Sequence, residues 1–246
     1  REIDLIEEIA RLIGYDRFDL NLPNPIKPGK LSSQQLALKK VKSGFIENGF
    51  NEVLSYSLVP EDKESLIKIS NPLLLETSCL RDNIWEGHLE IVNRNIKSGQ
   101  TSCYIFEVGN VFYKNSEFIQ EEILNGAIFG NKKFGAWVNS GKDNDLNYYE
   151  ARGKLKEALS SLNLKVDDKP TNSIDFLHPG RTAKLFIEGK DAGYFGEIHP
   201  KLIMDKTALK KVYLFSINVA NLLVASTRKN KWIPIYKQYP IVPKME

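Results

Sequence analysis

The chain has 246 residues, of which 42% are hydrophobic and 26% are charged, and its formal net charge is +3. These proportions are typical of a globular protein, and no run reaches the roughly 18 apolar residues of a membrane-spanning helix, so the sequence predicts no membrane segment. The small net charge also argues against a dedicated nucleic-acid-binding domain. Two cysteines, Cys79 and Cys103, are too few for a disulfide framework, so we expect buried, reduced thiols in a cytoplasmic protein.

The first predicted helix carries three carboxylates on one face. Asp4, Glu7 and Glu8 follow the i, i+3, i+4 spacing, which places their side chains on one stripe. Like charges at this spacing repel by about 0.2–0.5 kcal/mol per pair, so a compensating positive charge is expected. Arg11, the helix dipole and a divalent cation with oxygen ligands are the three candidates, and a solvated acidic first turn is the alternative to a site.

Turn signals and apolar periodicity divide the rest of the chain into short elements. Pro23, Pro25 and Pro28 indicate a linker over residues 21–30, and a Gly- and Asn-rich loop is predicted over 135–147. Helices are predicted from Ser32 or Ser33 to Gly49, at 83–97 and 148–161, after Pro200, and up to Leu223. Strands are predicted at 52–59, 102–113, 123–129, 183–187, 192–198 and 212–218. Hairpin connections mixed with helices predict an α+β fold, with an antiparallel sheet flanked by helices.

The start of the chain resembles a known family. The run 4–16, followed by Leu22-Pro23, is similar to the end of the B5 domain in the β subunit of bacterial phenylalanine–tRNA ligase. In that family, carboxylates at the positions of Asp4, Glu7 and Glu8 bind a Mg²⁺ ion shared with the α subunit. A further Asp of the family pattern lies six residues before the position of Asp4, so the resemblance implies an incomplete metal site here. The chain opens at Arg1, and we expect both ends to be cuts in a longer protein.

Most of the remaining chain resembles the B6–B7 core of the same subunit, which is like the catalytic core of class II aminoacyl-tRNA synthetases. The matching segments are Asn71-Pro72-Leu73-Leu74, Leu80-Arg81, Asn95, Phe106-Glu107-Val108-Gly109, the stretch 178–183 and the stretch 193–200. The order of helix, strand and Pro60 resembles motif 1 of that class, and 239–246 resembles the linker into the RNA-binding B8 domain. The resemblance implies three parts: a B5 tail at 1–24, a synthetase-like core at 25–229 and a linker at 230–246.

Two arginines that class II catalysis needs have no counterpart in this sequence. Catalytic members place an Arg two residues before the Glu of motif 2, and Ile105 stands there, before Glu107. The Arg that begins the motif 3 helix has no counterpart either, because the corresponding strand leads into Glu197-Ile198-His199-Pro200. Such arginines stabilise the transferred phosphoryl charge. The sequence therefore predicts no catalytic and no cofactor-binding residue in this core.

The family then implies the function and the partners. The core would scaffold the catalytic α subunit in an (αβ)2 assembly, which attaches phenylalanine to its tRNA, with ATP bound by the α subunit. Two other functions stay open at this point. One is a self-sufficient class II-type adenylate-forming enzyme, and the other is a nucleic-acid-binding module. The nucleic-acid-binding module is suggested by three lysine clusters: Lys39/Lys40/Lys42, Lys132/Lys133 and Lys206/Lys210/Lys211.

The other polar residues receive structural predictions. His178 and His199 each precede a Pro, and we expect each to hold a backbone contact in a turn. His88 is predicted to be structural, and Arg181 to pair with a carboxylate within the fold or across a subunit interface. Glu107 lies on an otherwise apolar strand, which favours a buried, hydrogen-bonded carboxylate.

Overall fold

The computed structural model describes residues 1–22, 29–63, 65–130, 145–160, 162–203 and 211–226. The chain forms two compact units, residues 1–32 and 33–246. The first unit contains helix α1 (Glu2–Ile13) and a 3-10 turn (Tyr15–Arg17). Gly14 ends α1 with φ of 96°, a conformation that glycine adopts without steric cost.

The second unit is built on an antiparallel sheet with helices on both sides. Its helices are α2 (Ser33–Glu47), α3 (Trp85–Lys97), α4 (Tyr148–Ser160) and α5 (Val219–Ser226). Its strands are β1 (Asn51–Glu52), β2 (Leu58–Val59), β3 (Ile67–Lys68), β4 (Cys79–Leu80), β5 (Ser102–Lys114), β6 (Phe118–Gly130), β7 (Val166–Pro170), β8 (Leu177–Ile187), β9 (Lys190–Ile198) and β10 (Tyr213–Asn218). Leu75–Thr77 and Pro200–Leu202 form 3-10 turns.

The strands form two sheets. Seven strands pair in the order β1-β5-β6-β10-β9-β8-β7, and three pair in the order β2-β4-β3. β1 and β5 run parallel, whereas the other described pairs are antiparallel. The predicted α+β fold, with an antiparallel sheet flanked by helices, is confirmed.

Alternating side chains give the large sheet two apolar faces. One face packs against α2, α4 and α5, where the Phe45 ring lies 5.1 Å from that of Phe106 and 5.6 Å from that of Phe215. The other face packs against α3, and Ile105 contributes to this second cluster. A fully buried Leu, Ile or Phe side chain contributes about 1.5–3 kcal/mol, so both faces hold the sheet and its helices together.

The single strand predicted at 52–59 is wrong. Only the two ends of this segment pair with other strands. β1 lies in the large sheet and β2 lies in the small one. Between them the chain leaves regular pairing, and the Ser55 amide donates to the Glu107 carboxylate at 3.1 Å instead of to a neighbouring strand. Strands β3, β4 and β7 were not predicted, whereas the 102–113 and 123–129 strands are longer than predicted and form one hairpin.

Several predictions fall outside the described residues. They are the boundaries at 24/25 and 229/230, the prolines of the first linker, the linker at 230–246, most of the 135–147 loop, and the clusters at Lys132/Lys133 and Lys206/Lys210. Among the residues that are described, no helix is long and apolar enough to cross a membrane. Cys79 and Cys103 are buried and unbridged, which confirms the predicted free thiols.

Candidate functional site

Glu107 lies at the centre of a buried polar cluster on β5. Its side chain is 2% exposed. Arg81 Nη1 donates a hydrogen bond to Glu107 Oε1 at 2.9 Å, and Ser55 Oγ donates to Oε2 at 2.6 Å. The Ser55 amide donates to the same Oε2 at 3.1 Å. The predicted buried, hydrogen-bonded carboxylate is therefore confirmed.

Arg81 ties this carboxylate to the small sheet. It directly follows β4, is 4% exposed, and its Nε donates to the Asn110 carbonyl at 2.9 Å. Nη1 also donates to Ser55 Oγ at 2.8 Å, and the Arg81 backbone bonds Ser57 O and Phe112 N, each at 3.0 Å. One residue thus connects the β1–β2 segment, β4 and β5. Removing one partner from a buried ion pair leaves an uncompensated charge, so the arrangement stabilises these segments only as a set.

Two glycines make room for the cluster. A Cβ on Gly109 would lie 2.4 Å from Arg81 Nη2 and 3.0 Å from Glu107 Oε1. On α3, a Cβ on Gly87 would lie 3.2 Å from Ser55 Cβ. The first distance is shorter than any real Cβ contact, so the guanidinium can occupy its position only because residue 109 has no side chain.

His88 completes the cluster from α3. It is fully buried, and its Nε2 lies 3.4 Å from Glu107 Oε2. Neither ring nitrogen has a hydrogen bond of ordinary geometry within the described part of the chain. Both the burial and the position inside a helix–sheet contact support the predicted structural role.

The environment fixes the charge of Glu107. Burial alone raises the pKa of its carboxyl, but the contacts with His88, Ser55 and Arg81 outweigh burial and lower the pKa to about 2. Because the His88 contact is long, we attribute the lowering mainly to the shorter bonds from Ser55 and Arg81. At neutral pH the Glu107 charge therefore balances that of Arg81, so the pair presents no net charge to a phosphate.

Ile105 occupies the place of the motif 2 arginine and is covered. It is 3% exposed and packs in the cluster that contains Leu89 and Val92 of α3. The strand compared with motif 3 ends at the fully buried Ile198 and leads into a single 3-10 turn, Pro200–Leu202. The motif 2 position therefore holds an aliphatic core residue.

A cleft of about 610 Å³ opens beside the buried cluster. Ser55, Arg81 and Gly87 lie along it, so it adjoins the Glu107 network. The other charged lining residues are one arginine, Arg94, and five carboxylates: Asp62, Glu76, Asp82, Glu86 and Glu90. An excess of carboxylates makes the charge of the cleft wall negative and disfavours polyanions there.

The remaining sequence candidates have structural partners. His178 Nδ1 accepts a hydrogen bond from Gly180 N at 3.1 Å, and His199 Nδ1 accepts one from Lys201 N at 3.2 Å. Both predicted turn contacts are confirmed. Arg181 Nη1 donates to Glu197 Oε2 at 2.9 Å, so of its two predicted partners the one within the fold is observed.

The carboxylates of α1 do not form a metal cluster by themselves. Arg11 donates to Glu8 Oε2 through Nη2 at 2.7 Å and through Nε at 3.0 Å, so Arg11 offsets one of the three charges. Within the described ranges, no group of three or more His, Cys, Asp or Glu side chains is placed to hold a metal ion. Asp4, Glu7 and Glu8 alone therefore do not fit a complete magnesium site, and that site stays a prediction.

Sequence reasoning assigned no role to Arg81, Ser55 or Gly109. Arg81 and Gly109 lie in segments that carried the family resemblance, but their spacing does not show that they meet. The available signal was the carboxylate of Glu107 on an apolar strand, since a buried carboxylate needs a buried donor. Nothing in the sequence identifies which arginine supplies it.

Comparison with solved structures gives the fold class. The structure is similar to pyrrolysyl-tRNA synthetase from Desulfitobacterium hafniense, with a TM-score of 0.57 and 11% identity over 78% of this chain and 68% of that one. A second structure of that synthetase gives a TM-score of 0.55, with 11% identity over 77% of this chain and 65% of that one. At this identity the likeness shows the fold alone, which is that of class II aminoacyl-tRNA synthetases.

Sequence comparison gives the family within that class. Residues 22–219 match the family model described as the phenylalanyl tRNA synthetase beta chain CLM domain. The chain is 87% identical over 246 residues to the phenylalanine–tRNA ligase beta subunit of Prochlorococcus marinus strain MIT 9312, and 73% identical to that of strain MED4. Each alignment covers 100% of this chain, and the chain spans 30% of the length of each relative. The chain belongs to the phenylalanyl-tRNA synthetase beta chain family.

Proposed function

We propose that this chain is the noncatalytic core of a phenylalanine–tRNA ligase β subunit. It scaffolds the catalytic α subunit in a cytoplasmic (αβ)2 assembly, which uses ATP to attach phenylalanine to its tRNA. The observation that carries the proposal is Ile105, a buried aliphatic residue at the position where catalytic members of the fold class have an arginine. The family match supports the assembly to which the chain is assigned.

The chemistry of adenylation supports a noncatalytic role. Phosphoryl transfer from ATP requires preorganised cations at the developing charge. Near the motif 2 counterpart, the positive charge of Arg81 is already bound by Glu107, and the adjoining cleft is rich in carboxylates. A chain with this arrangement binds neither the triphosphate nor the transition state well.

The proposed magnesium ion involves α1. Asp4, Glu7 and Glu8 would hold it together with ligands from outside this chain, and the ion would supply charge that joins two subunits. The residues present are not sufficient, as the Arg11–Glu8 pair indicates. Isothermal titration of the full-length β subunit and of the α–β complex with Mg²⁺ tests this, with Asp4→Asn as the variant. Mg²⁺ binding by the complex that the variant retains would overturn the assignment.

The decisive test is a pull-down of the α subunit, followed by phenylalanine-dependent ATP–pyrophosphate exchange. Each subunit is assayed alone, and the pair is assayed together. We expect binding, exchange that requires α, and none from this chain alone. Exchange by this chain alone would favour the self-sufficient adenylate-forming enzyme instead. Steeply salt-dependent tRNA binding by this chain would favour the nucleic-acid-binding module.

A further inference from the structure

We draw no further inference here: the strongest candidate, the polar cleft of about 290 Å³ between β6, β9, β10 and the start of α5, carries nothing, because the two carboxylates that line it, Glu121 and Asp191, already have hydrogen-bond partners within the chain and nothing in the described residues shows what would bind there.

Discussion

At the scale of single residues, the ionisation of Glu107 makes stability depend on pH. Its pKa in the folded chain is about 2, against an ordinary value of 4.5. Between these values the unfolded chain binds more protons than the folded one, so stability falls as the pH is lowered from about 4.5 towards 2. The shift corresponds to about 3 kcal/mol, present above pH 4.5.

Urea denaturation between pH 2.5 and 6 measures this dependence. Glu107→Gln serves as the control because it removes the titrating group. We expect the variant to show a smaller slope over this window. An unchanged slope would mean that other carboxylates cause the acid sensitivity.

The Arg81–Glu107 pair predicts a second residue-scale result. Arg81→Met should lower the free energy of unfolding by about 3–5 kcal/mol, because it leaves the Glu107 charge buried without its partner. The double variant Arg81→Met/Glu107→Leu should lose clearly less than the sum of the single changes. Denaturant unfolding of all four proteins measures the coupling, and additive losses would contradict a direct interaction.

Residue-level prediction from the sequence succeeded where the local pattern was sufficient. A carboxylate on an apolar strand predicted a buried Glu107, and a histidine before a proline predicted turn contacts for His178 and His199. Arg81 was not predicted to meet Glu107, because 26 residues separate them and the contact depends on how two sheets pack. Sequence patterns report local periodicity, not long-range partners.

At the scale of elements, glycines decide how closely neighbouring segments approach. Gly109→Ala should destabilise the chain by about 2–4 kcal/mol, because the new methyl group displaces the Arg81 guanidinium. Gly153→Ala is the matched control, since it lies inside α4 with nothing within 4 Å of the added Cβ. It should stabilise the chain by about 0.5–1 kcal/mol through helix propensity.

Thermal or urea unfolding of the two glycine variants compares them under one condition. Opposite signs are expected for the two substitutions. Equal effects would indicate that backbone entropy, rather than the space beside Arg81, determines the cost at position 109.

The elements missed from the sequence share a physical cause. β3 and β4 have two residues each, which is too short for alternation to be read. β7 contains Asp167, Asp168 and Pro170, all unfavourable in central strands, but it lies at the edge of the large sheet, where charge and proline are tolerated. Arg152 of α4 also fixes this edge, donating to Asp168 at 2.6 and 2.7 Å.

At the scale of the whole molecule, exposed apolar surface predicts self-association. Along α1 the apolar side chains are exposed within their unit, as are Leu54, Tyr56 and Leu73 in the other unit. We expect light scattering to show an apparent mass that rises with concentration, because association covers this surface. Adding the α subunit should replace the self-associated species with a defined complex. A constant monomer mass at high concentration would contradict this.

The family and the fold class were both readable from the sequence, because several short motifs occur in the right order over the whole chain. Of the candidate site, the sequence predicted the buried carboxylate of Glu107 and an aliphatic residue, Ile105, at the motif 2 position. The buried ion pair beside an acidic cleft could be recognised only from the three-dimensional arrangement of Ser55, Arg81 and Glu107.

The two buried thiols give the molecule a pair of built-in probes. Cys79 lies in the three-stranded sheet and Cys103 in the seven-stranded sheet, and burial raises the pKa of the Cys103 thiol, which slows its modification. If the Arg81–Glu107 pair couples the two sheets, both thiols should become reactive in a single opening event. In the Arg81→Met variant, a thiol reagent should label Cys79 earlier than Cys103. Mass spectrometry of samples taken during the labelling reaction would show whether this fold opens as one unit or two.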